Sequence, residues 1–339
     1  MRGDLRAHVR LVVLMARPAL VLLLGSYAAI GLAQHGAADD AWRTMGVLVV
    51  VVGYLLASVV LNDIADVAVD RINLAGDRSR PLTTGTTPRE LVLVAVTGGV
   101  LAVACAVALG WLVLLVLVAG LLVATAYSVP PLSFSKRGVV ASLVLPLCVV
   151  AVPYLVGLFA ADARLRPGDL ALLGGLYVAI IGRLLLKDFR DVRGDTLLGK
   201  RTFLVRYGRQ VTCRTSAVLC VVGGAVLLLA VPDRSAALVA VYAGGLAVVV
   251  WLLVRLASST GPRQDTVLVA AVAIVGRGLL LALLAHLSMR PLGWTVLQQA
   301  LVVLALGVLT VGLASDMLRY GPRVRGTVPA AAEVTARDA

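Results

Sequence analysis

An acidic segment at the end of one apolar run carries the first residues that could do chemistry. The run covers residues 46–61, and intervals of four then place Asn62, Asp66 and Asp70 on one helical face, with Asp63 beside it. Each Asp near the centre of a spanning helix costs about 2.5–3.5 kcal/mol, so the cluster needs a compensating partner. An all-oxygen cluster suits a hard cation such as Mg²⁺. The alternative is a solvated loop that happens to be acidic.

A second acidic segment repeats this pattern at the end of a later apolar run. Asp191 and Asp195 are four residues apart, and Asp188 precedes Asp191 by three. Protein-bound Mg²⁺ usually keeps several waters and contacts substrate phosphates. Two acidic segments surrounded by Arg and Lys therefore indicate a diphosphate, with acids holding the metal and cations holding phosphate oxygens. The alternative is an intramembrane network of ion pairs, such as Asp188 with Arg190.

The composition indicates the class of protein that must position these acids. The chain has 339 residues, of which 60% are hydrophobic and 14% charged, and its mean hydropathy is +0.98. Soluble domains are about a quarter charged, so we predict a polytopic helical membrane protein. The net charge of +13 does not indicate nucleic acid as a partner, because the basic residues cluster in loops. The four cysteines lack CxxC spacing, which argues against a disulfide framework or a metal site.

Ten apolar runs are near the roughly 20 residues that a spanning helix needs. They cover residues 11–33, 44–64, 91–109, 111–128, 139–160, 169–187, 212–231, 236–256, 266–288 and 295–316. We therefore expect an all-α bundle of nine to ten transmembrane helices around a central cavity that opens to the cytoplasmic side. The last run could be peripheral. We expect one domain over residues 1–325, with its core at 10–290, and a disordered tail at 326–339.

The distribution of basic residues predicts the orientation of the bundle. Arg and Lys are abundant before the first run and after each even-numbered run, and sparse in the alternate loops. The positive-inside rule therefore places both termini and both acidic segments on the cytoplasmic side. The strong use of Arg, Ala and Val favours a bacterial plasma membrane. The bilayer and an anionic small molecule are the expected partners.

The two acidic segments resemble the paired motifs of the UbiA superfamily of intramembrane prenyltransferases. Asn62-x-x-x-Asp66-x-x-x-Asp70 is similar to the first motif of that family, and Asp191-x-x-x-Asp195 is similar to the second. Further similarities are Arg17-Pro18, Arg80-Pro81-Leu82, and Tyr127-Ser128-Val129-Pro130-Pro131 followed by Lys136-Arg137. The resemblance covers roughly residues 10–290. The tenth apolar run departs from the nine helices that are usual in the family.

The resemblance implies an enzyme that ionises a Mg²⁺-bound prenyl diphosphate and transfers the prenyl group to an acceptor. An aromatic or quinone-precursor acceptor is expected. Catalysis would consist mainly of charge stabilisation on the leaving group in a site that excludes water. One alternative is a terpene cyclase of the same superfamily, in which the cation closes on its own chain. Another is a transporter that uses the acids as an ion pathway.

The two motifs and the resemblance imply roles for individual residues. The expected catalytic residues are Asp66, Asp191 and Asp195, and the expected metal ligands are Asn62, Asp63, Asp66, Asp70, Asp188, Asp191 and Asp195. The expected diphosphate-binding residues are Arg17, Arg80, Tyr127, Lys136 and Lys187. Arg17 could instead snorkel to the membrane surface, and Tyr127 could belong to an interfacial aromatic belt. Arg183 and Arg277 are assigned either to the acceptor or to structure.

Overall fold

The computed structural model describes residues 11–67, 87–189, 202–231, 233–289 and 291–322, and within these ranges every regular element is a helix. Ten helices of 17 or more residues lie within these ranges: α1 Pro18–Gln34, α2 Ala41–Ala65, α3 Pro88–Leu109, α4 Trp111–Ser128, α5 Val139–Ala160, α6 Pro167–Lys187, α7 Phe203–Ala230, α8 Ala236–Ala257, α9 Pro262–Met289 and α10 Val296–Tyr320. Among the described residues, all but α1 are long and apolar enough to span a membrane. The prediction of an all-α bundle of nine to ten such helices is confirmed.

Several helix boundaries follow directly from local sequence signals. Asp40 accepts hydrogen bonds from the first backbone amides of α2, and Thr87 forms a reciprocal cap with Glu90 at the start of α3. Such caps satisfy amides that have no partner within the helix. The largest difference from the predicted boundaries is α7, which begins at Phe203 and is broken at Gly208, where φ is 78°. The predicted run began only at residue 212, because the first turns of α7 are polar.

Small residues bring the helices of the first half into close contact. A Cβ atom at Gly157 of α5 would collide with the backbone oxygen of Ala28 in α1. A Cβ atom at Gly53 of α2 would likewise collide with the backbone oxygen of Gly98 in α3. Close backbone approach through small residues is a common way to pack helices within a bilayer. The crossing of Gly53 with Gly98 holds α2, which carries the first acidic segment, against α3.

The tenth helix lies at the edge of the bundle. It packs on α8 and α9, yet only Val303 and Ala314 of its residues are buried. At its crossing with α9, Thr310 lies against Gly278. The outer surfaces of α10 and the other helices carry many exposed Leu and Val side chains, which suits contact with lipid. The peripheral position considered for the last apolar run agrees with this packing.

Polar contacts tie the helices together at both ends of the bundle. We call the end where α2 and α6 finish the acidic end. At the opposite end, the imidazole of His35 lies 3.0 Å from Oδ1 of Asp169, and Arg43 pairs with Asp40 and Asp162. These contacts join the end of α1, the start of α2, the end of α5 and the start of α6. Within each of the pairs α1–α2 and α5–α6, the two helices therefore run in opposite directions.

Candidate active site

The last turn of α2 brings Asn62 and Asp66 together as the four-residue spacing predicts. Nδ2 of Asn62 donates a hydrogen bond of 2.9 Å to Oδ2 of Asp66, and Asp66 is the residue that caps the end of α2. The carboxyl end of a helix carries partial negative charge, so an additional acid there favours a nearby cation. Asp70, the third member of the first motif, lies outside the described residues.

Asp63 is held by an arginine from α1. Nη2 of Arg17 donates to both carboxylate oxygens of Asp63 at 2.7 Å, and the two side chains are 25% and 3% exposed. Arg17 has a left-handed backbone with φ 48° and ψ 84° and precedes Pro18, which disfavours the helical conformation in the residue before it. The resulting break directs Arg17 to the interior rather than to the membrane surface.

The end of α6 meets the end of α4. The last turn of α6, Leu185–Lys187, is a 3₁₀ helix, and Nζ of Lys187 donates to Oη of Tyr127 at 3.4 Å. Tyr127 is buried, which agrees better with an interior role than with an interfacial aromatic belt. Asp188 follows and is also buried. The structure thus joins two of the expected diphosphate-binding residues beside the start of the second acidic segment.

Several of the other expected site residues do not contact the Lys187–Tyr127 pair or lie outside the described residues. Lys136 lies in a 3₁₀ turn after α4, where it is exposed and has no partner in the described part of the chain. Asp191, Asp195 and Arg80 lie outside the described residues. Arg277 in α9 is half-buried and, within the described ranges, has no ion-pair partner. Their assigned roles stay predictions.

Arg183 lies one helical turn before Lys187 and lines a cavity inside the bundle. The walls of this cavity come from α1 and from α6 to α9. Its lining is mostly apolar, with Tyr27, Tyr242 and Cys220 as the other polar or polarisable side chains. The cavity therefore adjoins the acidic end of α6 from within the membrane-spanning part of the bundle.

Sequence reasoning missed a polar cluster that supports the second acidic segment. Arg209 of α7 donates from Nη1 and Nη2 to the two carboxylate oxygens of Asp265 in α9, at 2.7 and 2.6 Å. Its Nη1 also donates to Oγ of Ser259 and to the backbone oxygen of Leu256. The guanidinium lies over the ring of Phe189, 5.0 Å from the centroid. An acid in the first turn of α9 was the available signal, but it does not identify Arg209 as its partner.

The described donors of the first motif are suited to a hard cation. Asn62 and Asp66 present amide and carboxylate oxygens, which are the ligands that Mg²⁺ prefers. Within the described ranges, no group of three or more His, Cys, Asp or Glu residues is arranged to hold a metal ion. The predicted donors Asp70, Asp191 and Asp195 lie outside these ranges.

The fold and this acidic end define an integral membrane protein whose helix ends gather acids and cations at one pole. A family model of the UbiA prenyltransferase family matches residues 22–273, which is most of the chain. The chain belongs to the UbiA prenyltransferase family. The predicted resemblance is thereby confirmed.

Relatives of known name or structure agree with this assignment. The chain is 29% identical over 159 residues to the bacteriochlorophyll synthase 34 kDa chain of Chloroflexus aurantiacus, a match that covers 46% of this chain and half the length of that relative. A structure of digeranylgeranylglyceryl phosphate synthase has a TM-score of 0.63 at 17% identity, covering 84% of this chain and 99% of that one. A UbiA homologue from Archaeoglobus fulgidus bound to GPP and Mg²⁺ has a TM-score of 0.59 at 16% identity, covering 82% and 99%. At such identities the structures establish the fold.

Proposed function

We propose that this protein is a Mg²⁺-dependent intramembrane prenyltransferase that ionises a prenyl diphosphate and transfers the prenyl group to an aromatic or quinone-precursor acceptor. The observation that carries the proposal is the acidic end itself. There, the Asn62–Asp66 pair and buried Asp188 share one pole of the bundle with cationic Arg17 and Lys187. The printed names of the relatives, and the GPP and Mg²⁺ in a neighbouring structure, support the same chemistry.

Lys187 and Tyr127 are suited to bind the diphosphate of the donor. An ammonium and a phenol hydroxyl within 3.4 Å of each other can both donate to neighbouring phosphate oxygens. Arg17 adds a guanidinium with N–H donors beyond those that it uses on Asp63. We assign Asp63 to orienting Arg17, because both of its oxygens already accept hydrogen bonds from that residue.

The residues that would hold Mg²⁺ are Asn62, Asp66, Asp70, Asp191 and Asp195, with Asp188 beside them. Bound metal would neutralise the charge of the diphosphate and so stabilise it as a leaving group. The bond between C1 of the prenyl chain and the diphosphate oxygen breaks, and the electron pair leaves with diphosphate. An electron pair of the acceptor then forms the new bond to C1, and the acceptor loses a proton to the released diphosphate. The protein contributes binding, orientation and exclusion of water.

We place the acidic end on the cytoplasmic side of a bacterial plasma membrane. The support is the concentration of Arg and Lys in the loops at that end. Cysteine substitutions provide a test in whole cells. Labelling by an impermeant reagent should reach Ala38→Cys from outside and should reach Ser79→Cys and Thr196→Cys only after lysis. Labelling of all three from outside would contradict the orientation.

The decisive experiment uses the full chain, purified into lipid nanodiscs. We expect geranyl diphosphate and Mg²⁺ to yield diphosphate and a labelled prenyl product when a panel of aromatic and quinone-precursor acceptors is added. A reaction without any acceptor separates the alternatives. A cyclised hydrocarbon would favour the terpene cyclase, whereas no diphosphate release under any condition would overturn the enzymatic proposal and favour transport.

A further inference from the structure

Arg277 is a charged residue near the middle of the membrane-spanning part of α9. Counted along the helix, it lies about 22 Å from Pro262 and about 18 Å from Met289. The hydrocarbon core of a bilayer is about 30 Å thick, so the backbone of Arg277 lies near the centre of that core. An arginine at this depth is unfavourable unless another group compensates its charge.

The described part of the chain does not compensate this charge. Within the described ranges, Arg277 makes no hydrogen bond and no ion pair. Every acid of the ten helices lies within the first two or last two turns of its helix. These acids are Asp63, Glu90, Asp169, Asp265 and Asp316. The central parts of these helices therefore contain no carboxylate at the depth of Arg277.

The position of Arg277 on α9 directs it to the outside of the bundle. Leu279 packs against α8, and Gly278 packs against α10. Successive residues are about 100° apart around a helix, so Arg277 is about 160° from Leu279 and points away from α8. It shares this outer face with Leu281, which is 42% exposed. Arg277 is itself half-buried, so part of its side chain is accessible from the surrounding membrane.

We propose that this outer face of α9 binds a membrane-spanning helix of another protein, and that this helix carries an Asp or Glu at mid-membrane depth. A spanning helix can present a carboxylate at any depth of the bilayer, and pairing with arginine there would compensate both charges. Ala270 and Ala273 lie on the same face of α9 as Arg277. Such small residues let a second helix approach closely. The proposal does not depend on the reaction that the protein catalyses.

Other occupants of this face are less suited to Arg277. The charged head groups of lipids lie at the membrane surface, about 15 Å from the centre of the hydrocarbon core. A second copy of this chain has no acid in the described central parts of its helices, so those parts supply no carboxylate at this depth. The remaining alternative is the acceptor role that the sequence suggested for Arg277, and the experiment distinguishes that role from helix binding.

The test uses the purified full chain in lipid nanodiscs and designed helices of about 20 Leu and Ala residues. The central residue of each designed helix is Glu, Gln, Lys or Leu. Energy transfer from a dye on the designed helix to a dye at the carboxyl terminus of the protein measures binding. The variants are Arg277→Leu, Arg277→Lys and Arg277→Glu. Arg255→Leu is the matched control, because the Arg255 guanidinium lies over the ring of Trp251 at the end of α8.

We expect the wild-type protein to bind the Glu helix at least about tenfold more tightly than the Gln or Leu helix, roughly 1.4 kcal/mol. Arg277→Leu should lose this preference, and Arg277→Lys should keep part of it. Arg277→Glu should prefer the Lys helix, a reversal that a general loss of folding does not produce. Arg255→Leu should bind all four designed helices as the wild-type protein does.

Two results would overturn the inference. One is equal binding of the Glu, Gln and Leu helices by the wild-type protein, a comparison that needs no variant to fold. The other is a preference for the Glu helix that persists in Arg277→Leu. If that persistence were accompanied by a raised KM for the acceptor in Arg277→Leu, Arg277 would belong to the acceptor site instead.

Discussion

Two arginine–aspartate pairs lie at the acidic end of the bundle, and they differ in how much of the guanidinium they use. Arg209 uses both terminal nitrogens on Asp265, donates also to Ser259 and Leu256, and lies over Phe189. Among the contacts of the described residues, Arg17 donates to Asp63 through Nη2. An arginine has five N–H donors. Arg17 therefore has further N–H groups that could donate to a ligand. The guanidinium of Arg209, in contrast, is contacted by protein groups on several sides.

This difference indicates separate roles for pairs of similar chemistry. The Arg17–Asp63 pair joins α1 to the first acidic motif and lies next to Asn62. The Arg209–Asp265 pair joins α7 to α9, and its guanidinium contacts Phe189, the last described residue before the second motif. We infer that the first pair positions a residue of the site, whereas the second stabilises the helix ends that carry the site.

The largest effect is expected from substitution of acids that belong to neither arginine–aspartate pair. Asp66→Ala and Asp191→Ala should each lower turnover by at least about 10²–10³-fold, because each removes an expected oxygen ligand of the metal. EDTA should have the same effect on the wild-type protein. Steady-state assays of product formation provide the measurement. Asp316→Ala is the control, since Asp316 is an exposed acid in the last turn of α10. Full activity in EDTA would exclude the metal–diphosphate mechanism.

Breaking the second pair should chiefly affect stability. Arg209→Gln or Asp265→Asn removes the ion pair of a partly buried cluster, in which the Arg209 side chain is 32% exposed and that of Asp265 8%, so we expect a cost of about 1–3 kcal/mol. We expect a lower thermal unfolding temperature and, for the folded fraction, a KM for geranyl diphosphate within about twofold of wild type. A variant with normal stability and a greatly raised KM would place Arg209 in the site instead.

Breaking the first pair should chiefly affect donor binding. Arg17→Gln should raise the KM for geranyl diphosphate about tenfold or more, since it removes a charge-assisted hydrogen bond. Asp63→Asn should give a smaller increase and leave unchanged the Mg²⁺ concentration for half-maximal activity. A strongly raised Mg²⁺ requirement in Asp63→Asn would return Asp63 to the metal ligands.

A further prediction concerns coupling between the two acidic segments. If they share metal ions and one diphosphate, metal and diphosphate should each bind weakly alone, because each offsets the charge of the other. We expect Mg²⁺ to tighten a non-hydrolysable prenyl diphosphate analogue at least tenfold, roughly 1.4 kcal/mol.

The same coupling should appear in the double variant. Losses of analogue affinity in Asp66→Ala and Asp191→Ala should be non-additive, because disruption of either acidic segment would abolish binding at a site that both segments form. Titration of the analogue into single and double variants measures this. Additive losses of analogue affinity, or an analogue affinity that does not depend on Mg²⁺, would mean that the two segments form separate sites.

The amino-acid sequence alone determined the helices and the local geometry of the first motif. Runs of about 20 apolar residues define spanning helices because an unsatisfied backbone is too costly within a bilayer. The contact between Asn62 and Asp66 needs only helical spacing. Both features depend on neighbours within a few residues, so they could be predicted without knowledge of the fold.

Only the tertiary structure decided which distant residues meet. Arg17 was expected at the diphosphate or the membrane surface, and it pairs with Asp63 across 46 residues of chain. The contacts of Lys187 with Tyr127 and of Arg209 with Asp265 join residues that are 60 and 56 positions apart in the sequence. Tyr27, Arg183 and Tyr242, which share one cavity, are likewise distant in the sequence. The loops carry many cations and several acids, and their composition is compatible with many pairings. Helix packing selects among these pairings because close crossings such as Gly53 with Gly98 determine which helix ends are adjacent.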